Sequence, residues 1–294
     1  MPTQHEKDKY LLYLTCIIND MANNPTETVA TTSLYSSNPA SIKELSSLAR
    51  GLLFAELSKI SYHTETQTRE LAKQLNFTKV IFYEKDGSQA YSFINATDHV
   101  IACRGTEPHE WNDVRADLNA ATAVAETVGR VHRGFKKEVD DLWPELEQAL
   151  QDNTKTLWFT GHSLGGAMAT ICAGRCLLAH MQSTPEQIHT FGSPRVGNKR
   201  YINHTKVNYL RWVNNNDIVT QVPPAWAGYR HTGTLMYLNE HGKLAKLTPL
   251  QLKQDRWSGF VKGLKLGKID HFHDHLIDQY VEFIYQEAKT AGEL

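Results

Sequence analysis

Two hydrophobic rhythms alternate along this chain. Leu45, Leu48, Leu52, Leu53, Leu57 and Ile60 recur at helical spacing, and Ser41 with Glu44 three residues later reads as a capping box that opens the helix. Val80-Ile81-Phe82-Tyr83 and Ala90-Tyr91-Ser92-Phe93-Ile94 flank Asp86-Gly87, a pair that tolerates positive φ, so a β-hairpin is predicted. His99 to Cys103 predicts a further strand, and Phe135, Val139, Leu142, Leu146 and Leu150 mark a helix over about 132–151. Strands are then expected at Thr156–Thr160, Ile188–Phe191, Tyr209–Val213 and Thr232–Tyr237. A helix over Ala167–Leu177 follows the first of these, and a last helix covers roughly 273–288. Strands alternating with helices through the middle of the chain predict an α/β fold: a mostly parallel sheet with helices on both faces.

Residues 22–41 are rich in Asn, Thr, Ser and Pro and read as a linker. The expected organisation is therefore an N-terminal extension and linker over 1–44, then one α/β domain over 45–290. Tyr10 to Ile18 is too short and too poorly flanked for an export signal, because Glu6 and Asp8 cancel Lys7 and Lys9, so it reads as a short helix.

An apolar share of 41% supports a sizeable core, and a net charge of −1 leaves no basic excess for nucleic acid. No apolar run approaches the roughly 20 residues of a membrane-spanning helix. Cys172 and Cys176 fall one helical turn apart and Cys103 lies in an apolar strand, so all three read as small core residues. That usage suits a reducing compartment, and a cytoplasmic location is the expectation.

Chemistry enters at Gly161-His162-Ser163-Leu164-Gly165-Gly166, which stands between the strand ending at Thr160 and the helix beginning with Ala167. Strand, G-x-S-x-G, helix is the setting of a nucleophile elbow, in which glycines keep Cβ atoms out of a tight turn and the serine hydroxyl is presented beyond the strand end. An acylating serine needs a base, and the base needs an orienting carboxylate. Asp217 follows the strand over 209–213 and the loop Asn214-Asn215-Asn216, where the acid belongs. His275, at the entry to the final helix, is the preferred base, with His271 and His273 as rivals that chain order leaves open. Backbone N–H donors for an oxyanion are expected from Leu164 and from the loop Arg104-Gly105-Thr106.

Seven pieces then occur in one family's order. They are Arg104-Gly105-Thr106-Glu107 with Trp111 and Asp117-Leu118; Val131 to Phe135; Gly161 to Gly166; Thr190 to Asn198; Asn216 to Val219; Tyr229 to Gly233; and His275 to Tyr280. Over most of residues 48–285 the chain resembles the class 3 (fungal-type) lipases, which have the α/β-hydrolase fold. The resemblance implies a carboxylic ester hydrolase acting on acylglycerol or other lipid esters through Ser163, Asp217 and His275. Thr106 and Leu164 become the oxyanion donors, and no cofactor or metal is needed. An esterase for soluble esters and a phospholipase A1 are the alternatives within the class. His132, Gly192 to Asn198 and His231 match family positions that read as scaffold. The family places a lid after the Arg-Gly-Thr element, which puts it near residues 107–120 here.

Within that stretch Trp111, Val114 and Leu118 form a narrow apolar stripe, suited either to a lid or to a docked surface helix. A basic insertion at about 241–270 carries Lys243, Lys246, Lys253, Arg256, Lys262, Lys265 and Lys268 against Asp255 and Asp270. Trp257 and Phe260 interleave with those charges, so the segment suits either a solvated excursion or peripheral contact with a lipid surface. A rival from another class is a metal-dependent hydrolase using the cluster His271, His273 and His275, although the run lacks one spacer of the H-x-H-x-D-H pattern. A non-catalytic binding module on the same fold is the other.

Overall fold

The computed structural model describes residues 33–36, 41–105, 121–179, 181–248, 251 and 273–294. The expected helix near residues 10–18 lies outside them.

The first long helix, α1 (Ser47–Ile60), begins later than the capping box at Ser41 implies. Ser41 instead caps a single 3-10 turn over Ile42–Glu44, and Leu45 is extended with ψ 143°. Ser46 then caps α1, accepting the Ala49 N–H at 3.1 Å. Each serine thus caps its own element, and the extended Leu45 separates the two. The turn buries Ile42 and brings its N–H within 3.0 Å of Asp98 Oδ2.

The expected boundary at residue 44 runs through packed chain. Leu34 and Tyr35 pack on the same hydrophobic cluster as Ile42. Tyr35 and Ser36 donate their N–H groups to the buried Glu56 carboxylate, and the Tyr35 ring stacks on Tyr285 at 4.0 Å.

After α2 (Glu65–Gln74) come the hairpin β1 (Lys79–Lys85) and β2 (Ser88–Ile94), then β3 (Asp98–Cys103). Asp86 (φ 49°) and Gly87 (φ 89°) close the hairpin, both in the left-handed region that this turn requires. Short strands β4 (Thr122–Val124) and β5 (Arg130–His132) precede α3 (Arg133–Gln151), β6 (Thr156–His162), α4 (Leu164–Leu178) and β7 (Pro185–Phe191). The chain continues through β8 (Gly197–Asn198), α5 (Lys199–His204), β9 (Tyr209–Asn214), β10 (Tyr229–Arg230), β11 (Thr234–Leu238), β12 (Leu244–Ala245) and α6 (Ile277–Ala291).

Among the described residues the main sheet has eight strands in the order β1-β2-β3-β6-β7-β9-β11-β12. The run from β3 to β11 is parallel, while β1, β2 and β12 add antiparallel edges. A second sheet, β10-β8-β5-β4, has no counterpart in the sequence reading. Its strands are two or three residues long, too short to display a period.

Both faces of the main sheet are covered. Ile101, Cys103, Leu157 and Phe159 face the cluster built with α3 and α4. Their neighbours Val100, Ala102 and Trp158 face the cluster built with α1 and α6. That two-residue alternation, apolar on both sides, is what a sheet sandwiched between helices demands. Gly51 lets α1 approach closely, since a Cβ there would lie 2.4 Å from the Trp212 ring. The parallel strands β3, β6 and β9 all end at one edge, where Gly105, Ser163 and Asp217 follow them. Among the described residues no helix is long and apolar enough to cross a membrane.

Candidate active site

Ser163 sits between β6 and α4 with φ 58° and ψ −130°, a conformation that costs energy for a residue with a side chain. The surrounding glycines make this turn possible. A Cβ on Gly161 would lie 2.3 Å from the Gly165 carbonyl oxygen, and one on Gly165 would lie 2.1 Å from that of Cys103. The Ser163 N–H is anchored on the Phe191 carbonyl at 2.9 Å. Although Ser163 occupies the cap position of α4, its hydroxyl makes no capping bond and turns elsewhere.

It turns to His275. The Nε2 atom of His275 lies 2.9 Å from Ser163 Oγ, and Nδ1 lies 2.9 Å from Asp217 Oδ2. All three side chains are buried. Residues 112 and 58 positions apart in sequence are thus joined in one line of hydrogen bonds. His275 ends the short 3-10 turn His273–His275, directly before α6.

Asp217 is held from several sides, as a carboxylate away from water requires. Its Oδ1 accepts the Val219 N–H at 2.9 Å, and its own N–H bonds the Asn214 carbonyl at 2.8 Å. Its Oδ2 accepts the Tyr280 hydroxyl at 2.5 Å. Tyr280 in turn accepts the Asn214 N–H at 3.0 Å. Burial, and then the charge of Asp217, push the Tyr280 phenol well above its ordinary range, so it is a dependable donor. The neighbouring Asp274 closes the loop: its Oδ2 accepts the Asn216 N–H at 3.2 Å and its carbonyl accepts Asn214 Nδ2 at 3.0 Å.

Tyr280 and Gly192 stand beside the triad, although the sequence reading assigned neither of them a role in the site. Tyr280 lay within the family-like segment after His275, but nothing local tied its hydroxyl to a carboxylate 63 residues earlier. Gly192, read as scaffold, borders the reacting groups instead. It has φ 61°, and a Cβ there would lie 2.6 Å from Asp217 Oδ2 and 2.8 Å from His275 Nδ1. A glycine after a strand end, within the family-like piece Thr190 to Asn198, was the available signal.

Leu164 is the first residue of α4, with its side chain buried. Helix-terminal N–H groups and the positive end of the helix dipole favour negative charge there. Thr106, the lid candidates Trp111, Val114 and Leu118, and the basic-segment residues Trp257, Phe260, Lys262 and Lys265 lie outside the described residues. So do His271 and the side chain of His273. Among the described residues no three His, Cys, Asp or Glu side chains gather as a metal site.

An alcohol hydrogen-bonded to an imidazole, itself oriented by a buried carboxylate, is an arrangement that can remove the alcohol's proton as it attacks a carbonyl.

Comparisons with known proteins point the same way. Residues 100–226 match the family described as Lipase (class 3). The toxin TseL of Vibrio cholerae is 27% identical over 214 residues, covering 56% of this chain and 33% of the toxin. A lipase of Rhizomucor miehei is 34% identical over 122 residues, covering 38% of this chain and 34% of that protein. The chain thus spans about a third of the length of these curated relatives. Among solved structures, a lipase from Rhizopus microsporus var. chinensis superposes with a TM-score of 0.56 at 22% identity, covering 72% of this chain and 85% of that one. That likeness establishes the shared α/β fold.

Proposed function

We propose that this chain is a class 3 lipase, a serine carboxylester hydrolase acting on acylglycerol or other lipid esters; the family match over residues 100–226 supports the reading. The observation that carries the reading is the line Ser163 Oγ, His275 Nε2, His275 Nδ1, Asp217 Oδ2, with 2.9 Å at each gap.

In this reading His275 Nε2 takes the proton from Ser163 Oγ as the oxygen attacks the ester carbonyl. The tetrahedral oxyanion rests on the N–H of Leu164 and that of Thr106. Two facts support those donors. Leu164 directly follows the nucleophile at a helix start, and a Cβ on Gly105, the residue before Thr106, would lie 3.3 Å from Ser163 Cβ. His275 then returns the proton to the leaving alcohol, and water, activated the same way, frees the acid from Ser163. Asp217 fixes the imidazole with its proton on Nδ1 and stabilises the imidazolium. Donors at the oxyanion are the largest single contribution, about 100-fold or more in turnover for each.

Lipid substrates are favoured by the fungal lipase among the relatives. The basic segment 241–270, with Trp257, Phe260, Lys262 and Lys265, completes the proposal as a contact for anionic lipid surfaces. Equal, poor binding to vesicles with and without anionic lipid would remove that part alone.

The deciding experiment measures hydrolysis of p-nitrophenyl esters by wild type and Ser163→Ala. Loss of turnover in the variant is expected, and retained activity refutes the assignment. A panel from acetyl to oleoyl esters plus a phospholipid, with and without micelles, then separates lipase, esterase and phospholipase A1.

A further inference from the structure

A second histidine stands beside the first. His162, the last residue of β6, is buried, and its ring centroid lies 4.6 Å from that of His275. Its Nε2 lies 2.6 Å from the backbone carbonyl oxygen of His275. A carbonyl oxygen can only accept, so Nε2 carries the proton and Nδ1 carries the lone pair. Tyr62 Oη, 3.0 Å from that Nδ1, is therefore the donor of the second bond. Burial first, and then the charge of His275, hold His162 well below the ordinary histidine range. It stays a neutral N–H donor even while His275 is an imidazolium.

Tyr62 faces the other half of the site. Its hydroxyl lies against Gly105, where a Cβ would come within 2.3 Å of it, and the guanidinium of Arg104 sits 5.6 Å from its ring centroid. A Cβ on Gly105 would also lie 2.7 Å from the His162 carbonyl oxygen. Gly105 immediately precedes Thr106, the second oxyanion donor in the reading above. One hydroxyl and one imidazole thus span the distance from the oxyanion loop to the backbone of the base. His275 ends a single 3-10 turn directly before α6. A bond to its own carbonyl bears directly on the dihedral angles that aim its ring at Ser163 and Asp217.

We propose that Tyr62 and His162 act as a pair of positioning residues, registering the His275 backbone against the Gly105 loop through the bonds Tyr62 Oη–H to His162 Nδ1 and His162 Nε2–H to His275 O. The proposal rests on the reading of Ser163, His275 and Asp217 as an ester-hydrolysing triad. The bonds of the pair run to a backbone carbonyl and to each other, so the pair acts on turnover through the placement of the base, and small displacements of a base are costly.

The test compares Tyr62→Phe, His162→Leu, His162→Gln and the double variant Tyr62→Phe/His162→Leu in p-nitrophenyl ester hydrolysis, with thermal melting recorded for each. Tyr62→Phe is expected to lower kcat by about 10-fold and His162→Leu by about 100-fold, with KM within about twofold of wild type. The double variant should be no worse than His162→Leu alone, because the two bonds act as one unit. His162→Gln, which keeps an N–H donor, should recover part of the loss. Unchanged kcat in Tyr62→Phe, or losses that multiply in the double variant, would overturn the proposal. If His162→Leu fails to fold, kcat of Tyr62→Phe decides the question alone. Retained activity in Ser163→Ala would instead strike the triad reading, so the two failures are distinguishable.

Discussion

The hydroxyl of Tyr280 donates to Asp217 Oδ2, the same oxygen that faces His275 Nδ1. One carboxylate oxygen therefore serves two donors, and Oδ1 serves the Val219 N–H. Tyr280 stands one turn into α6, so the helix that follows the base also supports the acid. A hydrogen bond to a buried charge contributes about 1.5–3 kcal/mol.

Tyr280→Phe removes that donor and little volume. The expected result is a fall in stability of about 1–3 kcal/mol by urea unfolding, together with a fall in kcat of about 10-fold on p-nitrophenyl esters. Stability and turnover both matching wild type would show that Asp217 is adequately held by its other two donors.

Gly192→Ala tests the backbone beside Asp217 and His275. Its φ of 61° disfavours any side chain, and the new methyl would meet the Asp217 carboxylate at 2.6 Å. Loss of kcat by roughly 100-fold is expected from the displaced His275 ring, with a lower melting temperature. Labelling by a serine-reactive fluorophosphonate reads the same change without a chromogenic ester. Undiminished labelling would mean that the loop yields without moving the base.

Acid should destabilise the fold through buried histidines. Burial lowers His99 to about 4, and His162 and His189 are also held well below the ordinary value by burial. Between pH 6.5 and about 4 the unfolded chain binds the proton on His99 and the folded chain does not, so stability rises with pH across that window and falls as pH drops through it. The His99 share is on the order of 3 kcal/mol. Urea midpoints measured at pH 6.5 and 4.5 should therefore converge in His99→Gln relative to wild type. An identical pH slope in the two proteins would remove His99 from the account.

Much of the architecture was legible because its causes are local. Asp86-Gly87 announces its hairpin through turn chemistry, and both residues adopt the positive φ that such a turn needs. The stripe Phe135, Val139, Leu142, Leu146 and Leu150 announces α3, and all five are buried. The start of α1 lies later than expected because two serines offer equivalent local caps and Leu45 is extended between them. The small second sheet was invisible because two-residue strands carry no pattern.

For the site, residue types and chain order singled out Ser163 and Asp217 and preferred His275 over its rivals His271 and His273, and the family resemblance assigned His275. What the chain alone determined is the set of short-range preferences: the glycines that permit a strained serine, the strand and helix periods around it, and the apolar faces that demand a sheet covered on both sides. Only the tertiary structure showed that the His275 imidazole meets that serine at bonding distance, that Tyr280 and Val219 share the acid with it, and that Gly192 must lack a side chain. The physical reason is range. Dihedral preference and amphipathic spacing act over a few residues, whereas a hydrogen bond between Ser163 and His275 exists only once 112 intervening positions have been folded to bring the two atoms within 2.9 Å.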